Sequence, residues 1–565
     1  MSDLFDDLMR TEPDWDALVP EFKLRPQQRD ALHQLHNALF VDDVRAVTFE
    51  APTGVGKSIV ALALCRFVLS YGGSSFIVTP QKALQDQLGE LPGVKLMKGR
   101  SAYQCALVDR LTAANAPCVT SKAVRESHPE CSDTSCPYFT ALARAKAAPI
   151  VAHNYASLIA QTYIGGHFEP RHLLCLDESH TAVDWIRSYM TLDLTYDDLS
   201  RLTTSDPPTD EHVFMGWFRA VMSQIDEIPQ NAPERLVSIM MRVLAHKSVY
   251  GVPDGVGIYE EWREEMASRG GDDRVPFMKW ATKELSAPSS ALVPWHVAID
   301  VDSDEPTWKC TPIKVAPMAS ILTGMGAKVV MISATVLDES LMLAEIGLRN
   351  VPNASVTLTT AFDPSRRPIE KRYVGSMSRA AQQSTMPRLV QEILSIMDEH
   401  DSAGIIHTVS YALSTTLASL LENHARATGR KIVQISKSAP REETIQKFLS
   451  GGFGPNAILV GPALMEGIDA IGDSARWQVM VKVPWPYRGD PVVSYFLDDP
   501  DPRMARFGGR WYTWKTAQQT VQGIGRVCRS AKDYGITYLL DSGFEKILQC
   551  EFTPKHVTDA VRRKS

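Results

Sequence analysis

The residues most able to do chemistry are Ala51-Pro-Thr53-Gly54-Val55-Gly56-Lys57-Ser58, which combine two glycines with a lysine and a hydroxyl directly after the apolar run Ala46–Glu50. A helical apolar pattern follows, ending near Gly72-Gly73. Strand, glycine-bearing loop and helix in that order are the setting a phosphate-binding loop requires. Gly54 and Gly56 let the backbone aim the amides between Thr53 and Ser58 into one concavity, and the helix N-terminus adds partial positive charge. Lys57 is placed to reach the β- and γ-phosphates of ATP, and Ser58 to ligate Mg²⁺. Ala51 stands where the strict pattern has its first glycine. Phosphate chemistry also needs carboxylates, and Leu173-Leu-Cys-Leu-Asp177-Glu178-Ser179-His180 puts two at the C-terminal end of an apolar strand, where open parallel sheets place ligands. Asp177 would hold the Mg²⁺ and Glu178 would polarise the attacking water. Alone, each stretch also reads as a glycine-rich turn or a pair of solvated acids; together they read as an ATP-hydrolysing site.

Short apolar runs, each followed by a helical stretch, must position these groups, and this alternation predicts α/β units with parallel sheets. Ala46–Glu50, Phe76–Pro80, Ile150–Asn154, Leu173–Asp177 and Val329–Ser333 form one set of expected strands. Gly404–Thr408, Ile432–Ile435, Ala457–Val460, Gln478–Val483 and Thr537–Asp541 form the other. Two such sets predict two doubly wound domains, with the stretch Phe362–Pro368 as their linker. The expected division is an acidic segment at 1–20, a first domain at 21–350 and a second at 351–565. Two insertions interrupt the first domain, a cysteine-bearing one at 100–147 and a helical one at 185–315. The helical insertion carries Trp217, Trp262, Trp280, Trp295 and Trp308, read as core more readily than as base-stacking platforms.

Further motifs carry a family resemblance. Asp177-Glu-Ser-His180 resembles the DEAH box of superfamily 2 helicases, and Ser333-Ala-Thr335 after a strand resembles their third motif. Gln522-Gly-Ile-Gly-Arg526-Val-Cys-Arg529 matches their Q-x-x-G-R-x-x-R motif. Lys98-Gly-Arg-Ser-Ala-Tyr-Gln-Cys105, Cys136-Pro-Tyr, Asn154-Tyr155 and Glu466-Gly-Ile-Asp469 narrow the likeness to the iron–sulfur helicases of the XPD/DinG family. The resemblance implies two RecA-like domains and an ATP-dependent DNA helicase. On that reading Gln28 reads the adenine edge, with Thr53, Gly54, Val55, Gly56, Lys57, Ser58 and Asp469 around the nucleotide. Arg526 and Arg529 act as arginine fingers beside Gln522, sharing a face if their segment is helical. His180, Ser333, Thr335 and Glu466 couple nucleotide state to strand contacts. Thr79, Lys82 and Thr408, after strands, are candidates for the phosphate backbone. The implied partners are single-stranded DNA and forked duplex or R-loop DNA, with 5′ to 3′ movement by a monomeric motor. A translocase without processive unwinding, or a nucleic-acid-binding ATPase switch, remains the alternative.

Four of the nine cysteines, Cys105, Cys118, Cys131 and Cys136, fall in one short segment. Four thiolates suit a [4Fe–4S] cluster or a tetrahedral zinc, and the spacing leaves both open, with free thiols a third reading. Position in the chain and resemblance favour the cluster. Arg100, Lys122 and Arg125 beside them would ease thiolate formation and offer DNA contacts. The formal net charge of −7 excludes a globally basic surface, so a nucleic-acid track must be a local groove. No apolar run reaches the roughly 20 residues of a membrane span, and the acidic start lacks signal-peptide regions. The expectation is a cytoplasmic protein, in a bacterial or phage-infected cell, or a nuclear one if eukaryotic. With the adenine motif near residue 25, no N-terminal nuclease domain is expected.

Overall fold

Runs of apolar residues without polar alternation predict strands covered on both faces, and all ten such runs form strands. The computed structural model describes residues 9–52, 54–80, 82–120, 122–164, 166–223, 234–245, 294–301, 305–358, 363–436, 440–462, 464, 470, 472–498, 502–528 and 533–562. The chain divides into two units. One comprises Met1–Thr48, Ser58–Ile332 and Ser340–Val356; the other comprises Phe49–Lys57, Ser333–Glu339 and Thr357–Ser565.

Helix α1 (Pro26–His36) leads into β1 (Ala46–Glu50), α2 (Lys57–Ser70), β2 (Ser75–Val78) and β3 (Val94–Met97). Helix α3 (Pro137–Ala147), β4 (Ile150–His153) and β5 (Arg171–Leu176) follow. Next come β6 (Leu192–Thr195), β7 (Trp295–Asp300), β8 (Thr307–Pro312), β9 (Gly326–Ser333) and β10 (Asn353–Thr357). A seven-stranded sheet runs in the order β10-β1-β9-β5-β2-β4-β3. Its pairs β2–β4, β2–β5, β3–β4 and β5–β9 are parallel, so their C-terminal ends share one edge. Helix α2 buries Val60 through Cys65, together with Phe67 and Val68, which explains its nearly unbroken apolar sequence.

The insertion expected at 185–315 to be helical differs. Its two ends form a three-stranded antiparallel sheet, β6-β8-β7, with Leu192 opposite Cys310 and Val297 opposite the same cysteine. Helical segments Glu211–Ser223 and Glu234–Ala245 are also present. Trp308 is a core residue on β8, stacked on Phe214 at 5.8 Å and donating its indole N–H to Pro208 O at 2.9 Å. Trp217 donates to Ser205 Oγ at an exposed position, and Trp262 and Trp280 lie outside the described residues.

The second sheet is wholly parallel. It is built from β11 (Ile369–Gly375), β12 (Gly404–Thr408), β13 (Ile432–Gln434), β14 (Ile458–Pro462), β15 (Trp477–Met480) and β16 (Ile536–Asp541), ordered β11-β16-β15-β12-β14-β13. Alternation along the strands feeds two cores. Ile406, Ile458, Val460, Trp477, Val479 and Tyr538 meet Leu413, Leu417 and Leu421, one face of α4 (Tyr411–Ala427). Ile405, Val433 and Leu459 point the other way, to Ile445 and Phe448. Helix α5 (Pro502–Ile524) precedes β16. Of the stretch expected as a linker, Pro364–Arg366 is a single 3₁₀ turn.

Candidate active site

Where β1 ends and α2 begins, Gly54 and Gly56 have φ of +79° and +88°, the left-handed region that a Cβ would strain. Ala51 is fully buried and is not among the residues of positive φ, so a methyl fits where the strict motif has glycine. Its amide donates to Ser333 O at 3.0 Å, tying the loop's root to the end of β9. Lys57 and Ser58 are half-buried at the first turn of α2. Thr53 lies outside the described residues. Glu50, which sequence reasoning passed over as a strand-end polar residue, is half-buried one residue before the loop. Burial pushes its carboxyl up to about 7, against the Leu337 amide (3.2 Å) and the field of Lys57, which pull it down.

The acids follow β5. Asp177 is 6% exposed and accepts a hydrogen bond on Oδ2 from Thr79 Oγ1 at 3.1 Å, while its carbonyl accepts from Tyr155 Oη at 2.8 Å. Glu178 occupies the left-handed region at φ +47°, a conformation that costs a non-glycine residue about 1–3 kcal/mol and turns its side chain out of the strand path. His180 Nδ1 lies 3.5 Å from Glu178 Oε2, and Ser179 Oγ donates to Ile332 O at 3.1 Å. The Asn154-Tyr155 pair has a local reason: Asn154 caps the helix Tyr155–Ile159 by accepting from Ser157 N at 2.7 Å, which presents Tyr155 to Asp177.

Two expectations change. Thr79 and Thr408 are buried, at 0% and 1% exposure, and their hydroxyls serve Asp177 and Ser410 O, so neither offers a surface to a nucleic-acid backbone. The side chain of Lys82 lies outside the described residues. Arg526 is not on a helix: α5 stops at Ile524, and Arg526 sits in the following turn, 8% exposed, with its amide bonded to Gly523 O. Arg529, Glu466 and Asp469 lie outside the described residues. Gln522, still on α5, donates to Thr335 Oγ1 at 2.9 Å within the second unit, and the Thr335 amide donates to Ser333 Oγ at 3.0 Å. Gln28 is buried, and its side-chain carbonyl accepts from the Arg25 amide at 2.8 Å, closing the start of α1.

Beneath the turn of Arg526 runs a polar row on an otherwise apolar sheet face. Gln478 is fully buried; its amide nitrogen donates to Ile524 O at 2.9 Å and to Thr537 Oγ1 at 2.8 Å, and its oxygen meets His407 Nε2 at 2.8 Å. The end of α5 is thereby held by β12, β15 and β16 together.

Cys105, Cys131 and Cys136 are buried and Cys118 is half-buried. Burial and the thiols of Cys118, Cys136 and Cys105 push the Cys131 thiol up to about 11. No set of three ligands at metal-binding spacing occurs among the described residues, yet four thiols share one another's field. A cation bound beside Cys131 would reverse the like-charge penalty that raises its thiol. Arg100 stacks over Tyr138 at 4.7 Å and Arg125 over Phe139 at 4.1 Å, on the helix that Cys136 begins. Cys65 and Cys175 touch sulfur to sulfur at 3.9 Å in the core of the first unit.

Paired parallel sheets, one receiving a phosphate-type loop and strand-end acids, define the RecA-like class of nucleotide-dependent proteins. A helicase C-terminal domain family matches residues 393–556, and the family of the type III restriction enzyme res subunit matches residues 21–191. A solved XPD helicase covers 94% of this chain and 99% of its own at 14% identity, with a TM-score of 0.57. Xpd4 of S. tokodaii covers 96% and 100% at 14% identity, with a TM-score of 0.53. The ATP-dependent DNA helicase YoaA of Escherichia coli (strain K12) is 25% identical over 193 residues, 33% of this chain and 28% of that protein. The regulator of telomere elongation helicase 1 of Rattus norvegicus is 35% identical over 88 residues, 14% of this chain and 7% of that protein. The chain thus spans less than a third of the length of these curated relatives. These matches support an XPD/DinG-like superfamily 2 helicase, and the solved XPD structures share its fold.

Proposed function

We propose that this protein is an ATP-dependent DNA helicase whose hydrolysis is stimulated by single-stranded DNA and which moves 5′ to 3′ to open forked duplex or R-loop DNA. The observation that carries the reading is the Gln522–Thr335 hydrogen bond, which joins the arginine-bearing motif to the Ser-Ala-Thr motif in the unit that also contains Phe49–Lys57. Lys57 and the loop amides would hold the phosphates, Ser58 and Asp177 a Mg²⁺ ion, and Glu178 the attacking water. Arg526 and Arg529 would stabilise charge on the transferred phosphoryl group, with Gln28 and Asp469 at the nucleotide's other contacts and His180, Ser333 and Glu466 relaying its state. Magnesium supplies charge neutralisation at the phosphates. Cys105, Cys118, Cys131 and Cys136 would hold a [4Fe–4S] cluster, which supplies a covalent brace to short segments that lack a core of their own.

The test is ATP turnover by anaerobically purified protein with and without single-stranded DNA, beside strand displacement on blunt, forked and R-loop substrates. Strand-stimulated turnover with displacement of the forked substrate is expected. Stimulated turnover without displacement assigns a translocase instead, and strand-independent or absent turnover refutes the motor.

A further inference from the structure

Four side chains of α5, Arg510, Trp514, Gln518 and Gln522, are each four residues apart and therefore form one stripe along the helix. All four donate to one short segment. Gln522 Nε2 reaches Thr335 Oγ1 at 2.9 Å, Gln518 Nε2 reaches Thr335 O at 2.7 Å, and Trp514 Nε1 reaches Val336 O at 2.8 Å. The Arg510 guanidinium pairs with Asp338 and, through Nε, with Glu551 at 3.0 Å. As the helix number rises the segment number falls, so the donors are matched to acceptors in order, like the teeth of a zip. Residues 334–338 belong to no helix or strand, so the carbonyls of Thr335 and Val336 have no ladder of their own. Trp514, Gln518, Thr335 and Val336 are all less than 5% exposed, which makes each of these bonds costly to lose.

The same segment is held from its other side. Glu50 accepts from the Leu337 amide at 3.2 Å, and the Ala51 amide donates to Ser333 O at 3.0 Å. Between these holds Leu337 has φ of +57°, and the Asp338 amide turns back to Val336 O at 2.6 Å. A bulky residue in that tight turn is strained and persists only where its surroundings fix it on both sides. The root of the phosphate loop and the helix that leads to Arg526 therefore grip one strained strap.

We propose that Trp514 and Gln518 are positioning residues that couple hydrolysis to strand binding by holding the strap 335–338 in register with Gln522 and Arg526. This rests on the motor reading above. Nothing in phosphate binding calls for an indole and an amide at these two positions; clamping the strap does. With the clamp open, ATP still binds at the loop, but strand contact no longer aligns the arginine turn.

The experiment compares wild type, Gln518→Leu, Gln518→Glu and Trp514→Phe, measuring kcat and KM for ATP with and without saturating oligothymidylate, plus affinity for a fluorescent ATP analogue. Gln518→Leu is expected to lose about tenfold or more of the strand-stimulated kcat, with KM and analogue affinity within about twofold of wild type. Trp514→Phe, which keeps the ring's bulk and loses one donor, is expected to fall less, by about three- to tenfold. Gln518→Glu separates alignment from simple destabilisation. Its carboxylate repels Thr335 O, whereas its protonated form donates to it. Its kcat should therefore climb several-fold relative to wild type as pH falls from about 8 to about 6, because burial raises a carboxyl's pKa into that range. Should Gln518→Leu fail to fold, the other two variants decide. Wild-type stimulation in both, or a Gln518→Glu profile parallel to wild type, overturns the proposal while leaving the motor reading intact. Absence of strand stimulation in wild type overturns both.

Discussion

Replacing His407 by leucine should make the second unit less stable near neutrality and yet less sensitive to acid. His407 is fully buried on β12; its Nε2 meets the Gln478 oxygen, so this nitrogen carries the proton of the neutral ring, and Nδ1 has no hydrogen-bond partner among the described residues. Burial holds the imidazole pKa down to about 4, opposed by the Gln478 hydrogen bond and reinforced by the charge of Arg526. The unfolded value is about 6.5, so between the two the unfolded chain binds the extra proton and the native chain does not. Stability is then fully present above about 6.5, falls as pH drops from about 6.5 to about 4, and levels off below about 4. Linkage makes this loss about 2 kcal/mol near pH 5 and about 3 kcal/mol below both values.

His407→Leu abolishes that loss at its site. It also strands the buried Gln478 oxygen, which costs about 1–3 kcal/mol at every pH. The variant should thus trail wild type near pH 7.5, and the gap should close or reverse near pH 5. Amide hydrogen exchange of peptides covering Gly404–Thr408, Ile458–Pro462 and Trp477–Met480 reads the unit directly. An unchanged gap at the two pH values would refute the assignment of His407 as a neutral, acid-labile element of the polar row.

Three further outcomes are expected. Lys57→Ala should abolish ATP turnover while leaving oligonucleotide affinity within about twofold of wild type, because on the proposed reading the loop lysine binds the phosphates and not the strand; normal turnover in that variant would move the nucleotide site elsewhere. Anaerobically purified protein should contain iron and show broad visible absorbance, both lost in Cys131→Ser and Cys136→Ser; zinc in its place would reassign the four thiols. Gly404→Ala should destabilise the second unit by about 3 kcal/mol or more, read as a lower urea midpoint, since the added Cβ would stand 2.1 Å from the Trp477 ring; a midpoint within error of wild type would show that Trp477 can move aside.

Most of the strands that sequence alone locates are covered on both faces, the edge strand β13 being the exception. The run Gly404–Thr408 matches β12 residue for residue because every one of its side chains is buried. The three missed strands of the two large sheets, β3, β10 and β11, stand at sheet edges, where covering is partial. On β11, Glu370, Lys371 and Arg372 intervene between Ile369 and Val374, charges that guard an edge against further pairing and also erase the apolar signal. The antiparallel strands β6, β7 and β8 were hidden for a related reason. They are short and alternating, and β6 is separated from β7 by the helical patterns that dominate the insertion.

The site was legible where its logic is local and obscure where it is not. Gly54 and Gly56 have the left-handed backbone that their spacing implies, and Lys57 and Ser58 open α2, all within a few residues of chain. Thr79 misled because a hydroxyl after a strand looks free when only its own neighbours in sequence are considered. In a parallel sheet, however, adjacent strands end side by side, and β2 lies next to β5, so the hydroxyl leaving β2 meets the acid leaving β5. The helix stripe fails in the same way. Arg510, Trp514 and Gln518 belong to no sequence motif, and their partners lie 172 to 183 residues earlier in the chain. What a sequence leaves out is therefore the set of side chains that bind another segment's main chain. A carbonyl offers the same acceptor whatever its residue type, so Thr335 and Val336 carry no mark of being gripped. Such contacts leave a trace on the donor side alone, as amides and an indole at fourfold spacing on a helix with no apolar reason to keep them.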